Sequence, residues 1–171
     1  MMKNVLIVDG YNIIGAWEEL KTLTNTDMSQ ARDRLIELMA DYQAYSGYKV
    51  IIIFDAHYVK GKESTYKTFD LNIIFTREKE TADECIERLV SEYKTVENQV
   101  YVATSDHLEQ RVIFGRGALR KSARELFIEL RDSKERIDER IEVDQRTKPK
   151  SKIPLNDEVK AQFERWRRRR G

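Results

Sequence analysis

Four stretches of the chain are apolar with little or no polar alternation, and each ends abruptly in polar or charged residues. Val5-Leu6-Ile7-Val8 runs into Asp9-Gly10-Tyr11-Asn12, and Val50-Ile51-Ile52-Ile53-Phe54 runs into Asp55-Ala56-His57. Leu71-Asn72-Ile73-Ile74-Phe75 leads to Thr76-Arg77-Glu78-Lys79, and Val100-Tyr101-Val102-Ala103 to Thr104-Ser105-Asp106-His107. Such runs, rich in β-branched residues, predict strands covered on both faces, as in a parallel sheet with helices on either side. Gly10 is expected to let the backbone turn sharply just past the first strand. Between the strands the period changes. Met28, Ala31, Leu35, Leu38, Met39 and Tyr42 recur at helical spacing, with Thr26 or Asp27 as the cap and Gly47 as the stop. Ala82, Cys85, Ile86, Leu89 and Tyr93 mark a second helix, and Leu119, Ala123, Leu126, Phe127 and Leu130 a third; Ala16 to Leu20 reads as a short helical turn.

The remaining stretches are less regular. Tyr58 to Phe69 has no clear period and interleaves Lys60, Lys62, Tyr66 and Lys67, which predicts a surface loop suited either to plain solvation or to phosphate contact with base stacking. Val112 to Phe114 reads as a short strand or a helix end. Residues 132–142 carry Ile137 and Ile141 among charges, which fits a helix extension or a weak edge element. Gln145 to Pro154 reads as a basic linker, and Asn156 as the cap of a final helix with Val159, Phe163 and Trp166 on one stripe, expected to pack on the body.

With 171 residues, one domain and a tail are expected, drawn at 1–143 and 144–171. Cys85 is the one cysteine, so no disulfide framework exists, and its place on an apolar helical stripe suits a buried thiol. No run is long enough to span a membrane, and no leader pattern precedes the first strand, so a cytoplasmic protein is expected. The net charge of +1 hides an asymmetry: from Arg146 onward ten Lys/Arg face three Asp/Glu, which leaves the body acidic. An acidic body suits a cation site. The basic tail, including Arg167 and Arg168, suits either solubility or a polyanion. Arg120, Lys121 and Arg124 fall on another face of the third helix and, with Arg111 and Arg116, add a basic surface for a phosphate backbone or for solvent.

The chemistry follows from the strand ends. Parallel strands bring Asp9, Asp55 and Asp106 to one rim, and the helix after the third strand begins with Glu80 and Asp83. Each acid alone has an ordinary explanation, as a turn or helix cap or as a partner of the helix dipole. Gathered together, they repel unless a divalent cation shares them. Mg2+ or Mn2+ takes oxygen ligands and keeps several waters, and such an ion can polarise a phosphodiester and orient a water for in-line attack. Asn12, three residues after Asp9, either organises the site or satisfies its own turn. The chain has no P-loop, no Gly-x-Gly-x-x-Gly and no Cys/His zinc spacing, and His57 and His107 read as local hydrogen-bonding groups.

Val8-Asp9-Gly10-Tyr11-Asn12-Ile13-Ile14-Gly15, Ile53-Phe54-Asp55-Ala56, the run Phe75 to Asp83 and Thr104-Ser105-Asp106 occur in an order that resembles the YacP-like branch of the NYN domains, within the PIN-like nucleases. The resemblance extends from about Val5 to Leu130. It implies a three-layer α/β/α sandwich around a mainly parallel sheet of four or five strands, with the basic helical tail outside the shared motifs. It also implies a metal-dependent endoribonuclease that cleaves mRNA in association with the ribosome. On the same basis Asp9, Asp83 and Asp106 are the metal-binding acids and Asn12 the organiser, with Glu80 and Asp55 as further candidates.

Two other classes remain open at this point. Leu6-Ile7-Val8-Asp9, Phe54-Asp55 and Ala103-Thr104-Ser105 are also similar to a phosphoacceptor receiver domain, although Gly10 stands where that family has a second acid and no Lys-Pro pair follows an apolar strand. The other is an RNA- or ribosome-binding module without catalysis.

Overall fold

The central strand is β1, Lys3–Asp9, whose residues Leu6, Ile7 and Val8 are completely buried. It lies between two parallel neighbours. On one side β2, Lys49–Phe54, pairs with it from Val5↔Lys49 to Asp9↔Ile53; on the other β5, Asn98–Ala103, pairs from Lys3↔Asn98 to Val8↔Ala103. β4, Leu71–Phe75, continues the parallel sheet beyond β2, and β6, Leu119–Lys121, continues it beyond β5. An antiparallel edge strand, β3, Thr65–Thr68, closes the order β3-β4-β2-β1-β5-β6. The computed structural model describes residues 2–56, 65–68, 70–106, 113, 115–147 and 157–169, and for 65–68, 157–160 and 163 the backbone.

Strand alternation sorts the side chains into two cores. Leu6, Val8, Val50, Ile52 and Phe54 pack with α1, Gly10–Ala16, α2, Glu18–Thr24, α3, Met28–Ser46, and the start of α5, Ala123–Thr147. Val5, Ile7, Ile51, Ile53, Val100 and Val102 pack on the opposite face with Cys85, Ile86, Leu89 and Val90 of α4, Ala82–Tyr93. The result is the α/β/α sandwich expected, with five parallel strands. Asp27 proves to be the cap of α3, accepting from the Ser29 N–H at 3.0 Å, and Gly47 ends that helix at a φ of +73°, a conformation that favours glycine.

Strand order decides between the two α/β alternatives. Counting only the parallel strands in chain order, the sequence across the sheet is 3-2-1-4-5. A receiver-type sheet runs 2-1-3-4-5, so the phosphoacceptor alternative fails on topology.

Three local expectations are corrected. Thr65–Thr68, expected within a loop, is the edge strand β3, and it carries Lys67. Leu119–Lys121, expected to begin a helix, is β6, so Arg120, Lys121 and Arg124 share no helical face. Lys121 is 6% exposed, its Nζ 2.7 Å from both carboxylate oxygens of Glu129 and 5.3 and 5.2 Å from the ring centroids of Tyr48 and Tyr101. Gly10 turns the chain straight from β1 into α1 without a positive φ, so the turn itself does not require glycine. Its missing side chain is needed for another reason: a Cβ there would lie 2.5 Å from Phe54 Cε1 and 2.9 Å from the Ile53 carbonyl oxygen.

A first compact unit ends at Lys134, and residues 135–171 make a second. α5 runs unbroken to Thr147, which settles residues 132–142 as helix, and the second unit contains a further helix, α6, Asp157–Arg169. Within that unit Ile137, Ile141, Val143 and Trp166 are exposed. Asn156 lies outside the described residues, as do the side chains of Val159 and Phe163. Among the described residues, no helix is long and apolar enough to cross a membrane.

Candidate active site at the carboxyl rim

The order of strands reverses between β1 and β5. In open α/β sheets that switch point, at the carboxyl ends of the strands, is where a crevice forms and ligands bind. Asp9 ends β1 and Asp106 follows β5 by three residues, so the two acids flank it. The pleat sets their direction. Asp9 continues the Val5, Ile7 series, which faces α4, while Asp55 lies just past the end of β2. α4 returns from the rim to the start of β5, so its first turn, with Asp83, sits at the same rim and on the same face.

Asp9 is 9% exposed, and although its backbone caps α1, its side chain does not. Its carboxylate instead receives the hydroxyl of fully buried Thr104, Oγ1 to Oδ2 at 3.4 Å. The same Thr104 oxygen accepts the backbone N–H of Asp106 at 3.1 Å. One hydroxyl therefore links the Asp9 carboxylate to the backbone of Asp106. A second threonine does the equivalent work at Asp55: Thr76 Oγ1 accepts the Ala56 N–H at 3.0 Å, and the Thr76 N–H donates to the Phe54 carbonyl at 3.0 Å. Asn12, on the first turn of α1, accepts the Ser105 N–H at 2.7 Å and the Ser105 hydroxyl at 2.9 Å through one oxygen. Its amide oxygen thus binds the loop that carries Asp106.

The helix acids differ from one another. Thr81 caps α4 by accepting the Glu84 N–H at 3.2 Å, so Asp83 is exposed in the first turn without serving as the cap. Glu80 is committed to Arg88, with guanidinium nitrogens 3.1 and 3.4 Å from its two oxygens. Arg88 also reaches Cys85 Sγ at 3.6 Å. Burial pushes the Cys85 thiol up to about 11, Glu80 adds to the shift, and Arg88 opposes it. The thiol is therefore protonated at neutral pH and inert, as its apolar stripe suggested.

Among the described residues, no three His, Cys, Asp or Glu side chains form a metal-holding group. The rim supplies carboxylate, amide and hydroxyl oxygens, a donor set that fits a hard cation holding one or two carboxylates and its own waters better than a closed protein cage. His57 and His107 lie outside the described residues.

The basic residues that are described lie on different elements. Lys60, Lys62 and Arg111 lie outside the described residues, and of Lys67 only the backbone is described. Arg116 binds α4 through Glu87 at 3.7 Å and Ser91 at 3.2 Å. Arg120 is half-buried on β6, Arg124 is exposed in the first turn of α5, and Arg167 and Arg168 are exposed in the last turn of α6. Sequence reasoning missed Thr76 and Thr104 as holders of the acids. The signal was a β-branched hydroxyl residue directly closing an apolar strand.

Comparison with known proteins gives a consistent result. The profile of the YacP-like NYN domain matches residues 6–168. The YacP protein of Bacillus subtilis (strain 168) is 50% identical over 165 residues, spanning 96% of this chain and 97% of the relative. The crystal structure of Rae1 (YacP) from Bacillus subtilis superposes with a TM-score of 0.75 at 51% identity, covering 96% of this chain and 94% of the other. A tryptophan-to-leucine variant of the same protein gives 0.75 at 46% identity, covering 92% and 90%. The chain belongs to the YacP-like NYN domain family, a branch of the PIN-like nucleases.

Proposed function

We propose that this protein is a divalent-metal-dependent endoribonuclease that cuts mRNA in association with the translating ribosome, in the cytoplasm. The observation that carries the reading is Asp9: a nearly buried carboxylate at the sheet's switch point, held by Thr104 instead of capping its helix. Asp9, Asp83 and Asp106 are the acids proposed to hold Mg2+ or Mn2+, with Asp55 nearby and Glu80 already engaged by Arg88. When bound, the ion supplies charge stabilisation for the phosphodiester and lowers the pKa of an attacking water. The chain's own part is positional. Thr104 fixes the relation of Asp9 to Asp106, Asn12 holds the loop between them, and exposed arginines such as Arg124, Arg167 and Arg168 attract the phosphate backbone without specifying sequence.

The experiment compares purified protein on naked RNA with the same protein in a translating extract, with Mg2+ or Mn2+ and with a chelator, mapping new RNA 5′ ends. Metal-dependent ends support the reading, and ends confined to the translating extract make the ribosome part of the active complex. RNA or ribosome binding without new ends under any condition would leave a non-catalytic binding module.

A further inference from the structure

A cleft of about 510 Å3 opens beside the rim on the opposite side of the sheet from α4, where the loop after β5 meets α1, α2 and the start of α5. Its volume is that of an ordinary small-molecule site, roughly 300–1,000 Å3. Trp17 and Phe127 line the cleft, together with Glu18, Ser105, Ser122 and Arg124. The two aromatic residues play different parts. Trp17 is 5% exposed and fixed, its indole N–H donating to the Ala123 carbonyl at 2.8 Å, whereas Phe127, edge-on to it at 5.7 Å between centroids, is 39% exposed. A fixed aromatic wall thus supports a ring that is open to a ligand.

We propose that this cleft receives one nucleobase of the RNA strand whose phosphate lies at the carboxylate rim, with Phe127 as the stacking surface. The proposal rests on the endoribonuclease reading and adds a specificity subsite to it. Continuity with the rim is direct: Ser105, on the cleft wall, precedes Asp106 in the chain and is bonded to Asn12. The lining selects a base over a phosphate. Its walls are mainly apolar, and Glu18 repels an anion while offering an acceptor to a base amino group. Arg124, exposed at the mouth of α5, supplies the positive charge that a flanking phosphate requires. Stacking in such a place needs an unpaired base, so the strand is single-stranded at that position.

The test uses the full chain and a short single-stranded RNA, made as a series in which each member lacks the base at one position. Binding is read by fluorescence anisotropy in chelator, so that no cleavage intervenes. Loss of the base at one position, and not elsewhere, is expected to weaken binding about ten- to a hundredfold. In Phe127→Ala that penalty disappears, and Phe127→Leu, which keeps an apolar side chain without a ring, gives the same result should the alanine variant fail to fold. The proposal is overturned if the RNA is not bound, if no position depends on its base, or if the penalty persists in a folded Phe127 variant. Cleavage by wild type without base dependence would remove the cleft from the account and leave the nuclease. Base-dependent binding with no cleavage, on naked RNA or during translation, would do the reverse.

Discussion

Asn12 and Ser105 lie 93 positions apart in the chain, yet one amide oxygen of Asn12 accepts both the N–H and the hydroxyl of Ser105, at 2.7 and 2.9 Å. The contact joins the first turn after β1 to the loop after β5, across the point where the strand order reverses. Asn12 therefore holds the loop that carries Asp106, and on the proposed function it is a positioning residue for that acid. Asn12→Leu removes the acceptor and is expected to lower cleavage about 10- to 100-fold, the usual effect of losing a residue that orients a metal ligand. It should also raise the Mg2+ concentration needed for half-maximal rate, a shift that a purely structural role would not produce. Asn12→Asp keeps an acceptor oxygen and is expected to preserve the loop, measured by thermal unfolding.

Gly10 is excluded from substitution by its neighbours. A methyl group there meets the Phe54 ring, which is itself packed at 5.2 Å from Tyr11 and 5.6 Å from Phe75, and the Ile53 carbonyl. Neither can retreat cheaply. Gly10→Ala is expected to cost about 1–3 kcal/mol, as overpacking does. Urea unfolding monitored by circular dichroism measures it, and an unchanged midpoint would mean that the ring gives way.

Alkaline stability follows from three weak acids, Cys85 and Tyr42 buried and Tyr48 half-buried. Burial raises Cys85 from 9.0 to about 11, and burial with neighbouring groups raises Tyr42 and Tyr48 above 10.0. In each case the folded state keeps a proton that the unfolded chain releases. Their contribution is therefore complete below about pH 9 and is lost as pH climbs through the folded-state values, because stability falls wherever the folded state binds more protons. Denaturation midpoints should decline from about pH 9 upward. Cys85→Ala should flatten the first part of that decline and leave the tyrosine part.

Much of this was legible because a buried parallel strand leaves an unbroken apolar run, and a residue ending such a run must lie at the rim. Asp9, Asp55 and Asp106 could therefore be placed without coordinates. β6 could not. Leu119-Arg120-Lys121 has one exposed, one half-buried and one buried residue, and the buried one is a lysine made tolerable by Glu129 and two tyrosine rings contributed by distant parts of the chain. β3 is equally hidden, since Thr65–Thr68 is polar and is a strand through its pairing with β4. The commitment of Glu80 to Arg88 joins residues eight apart, beyond the three- or four-residue spacing that makes helix neighbours recognisable in a sequence.

The acids at the carboxyl rim are proposed to perform phosphodiester cleavage. The most direct test of this claim maps new RNA 5′ ends in a translating extract containing Mg2+ and wild type, Asp9→Asn or Asp83→Asn, with folding checked by circular dichroism. The expected result is a set of ends made by wild type and absent from both folded variants. Identical ends from all three proteins would contradict the claim and assign the cleavage to something other than this rim.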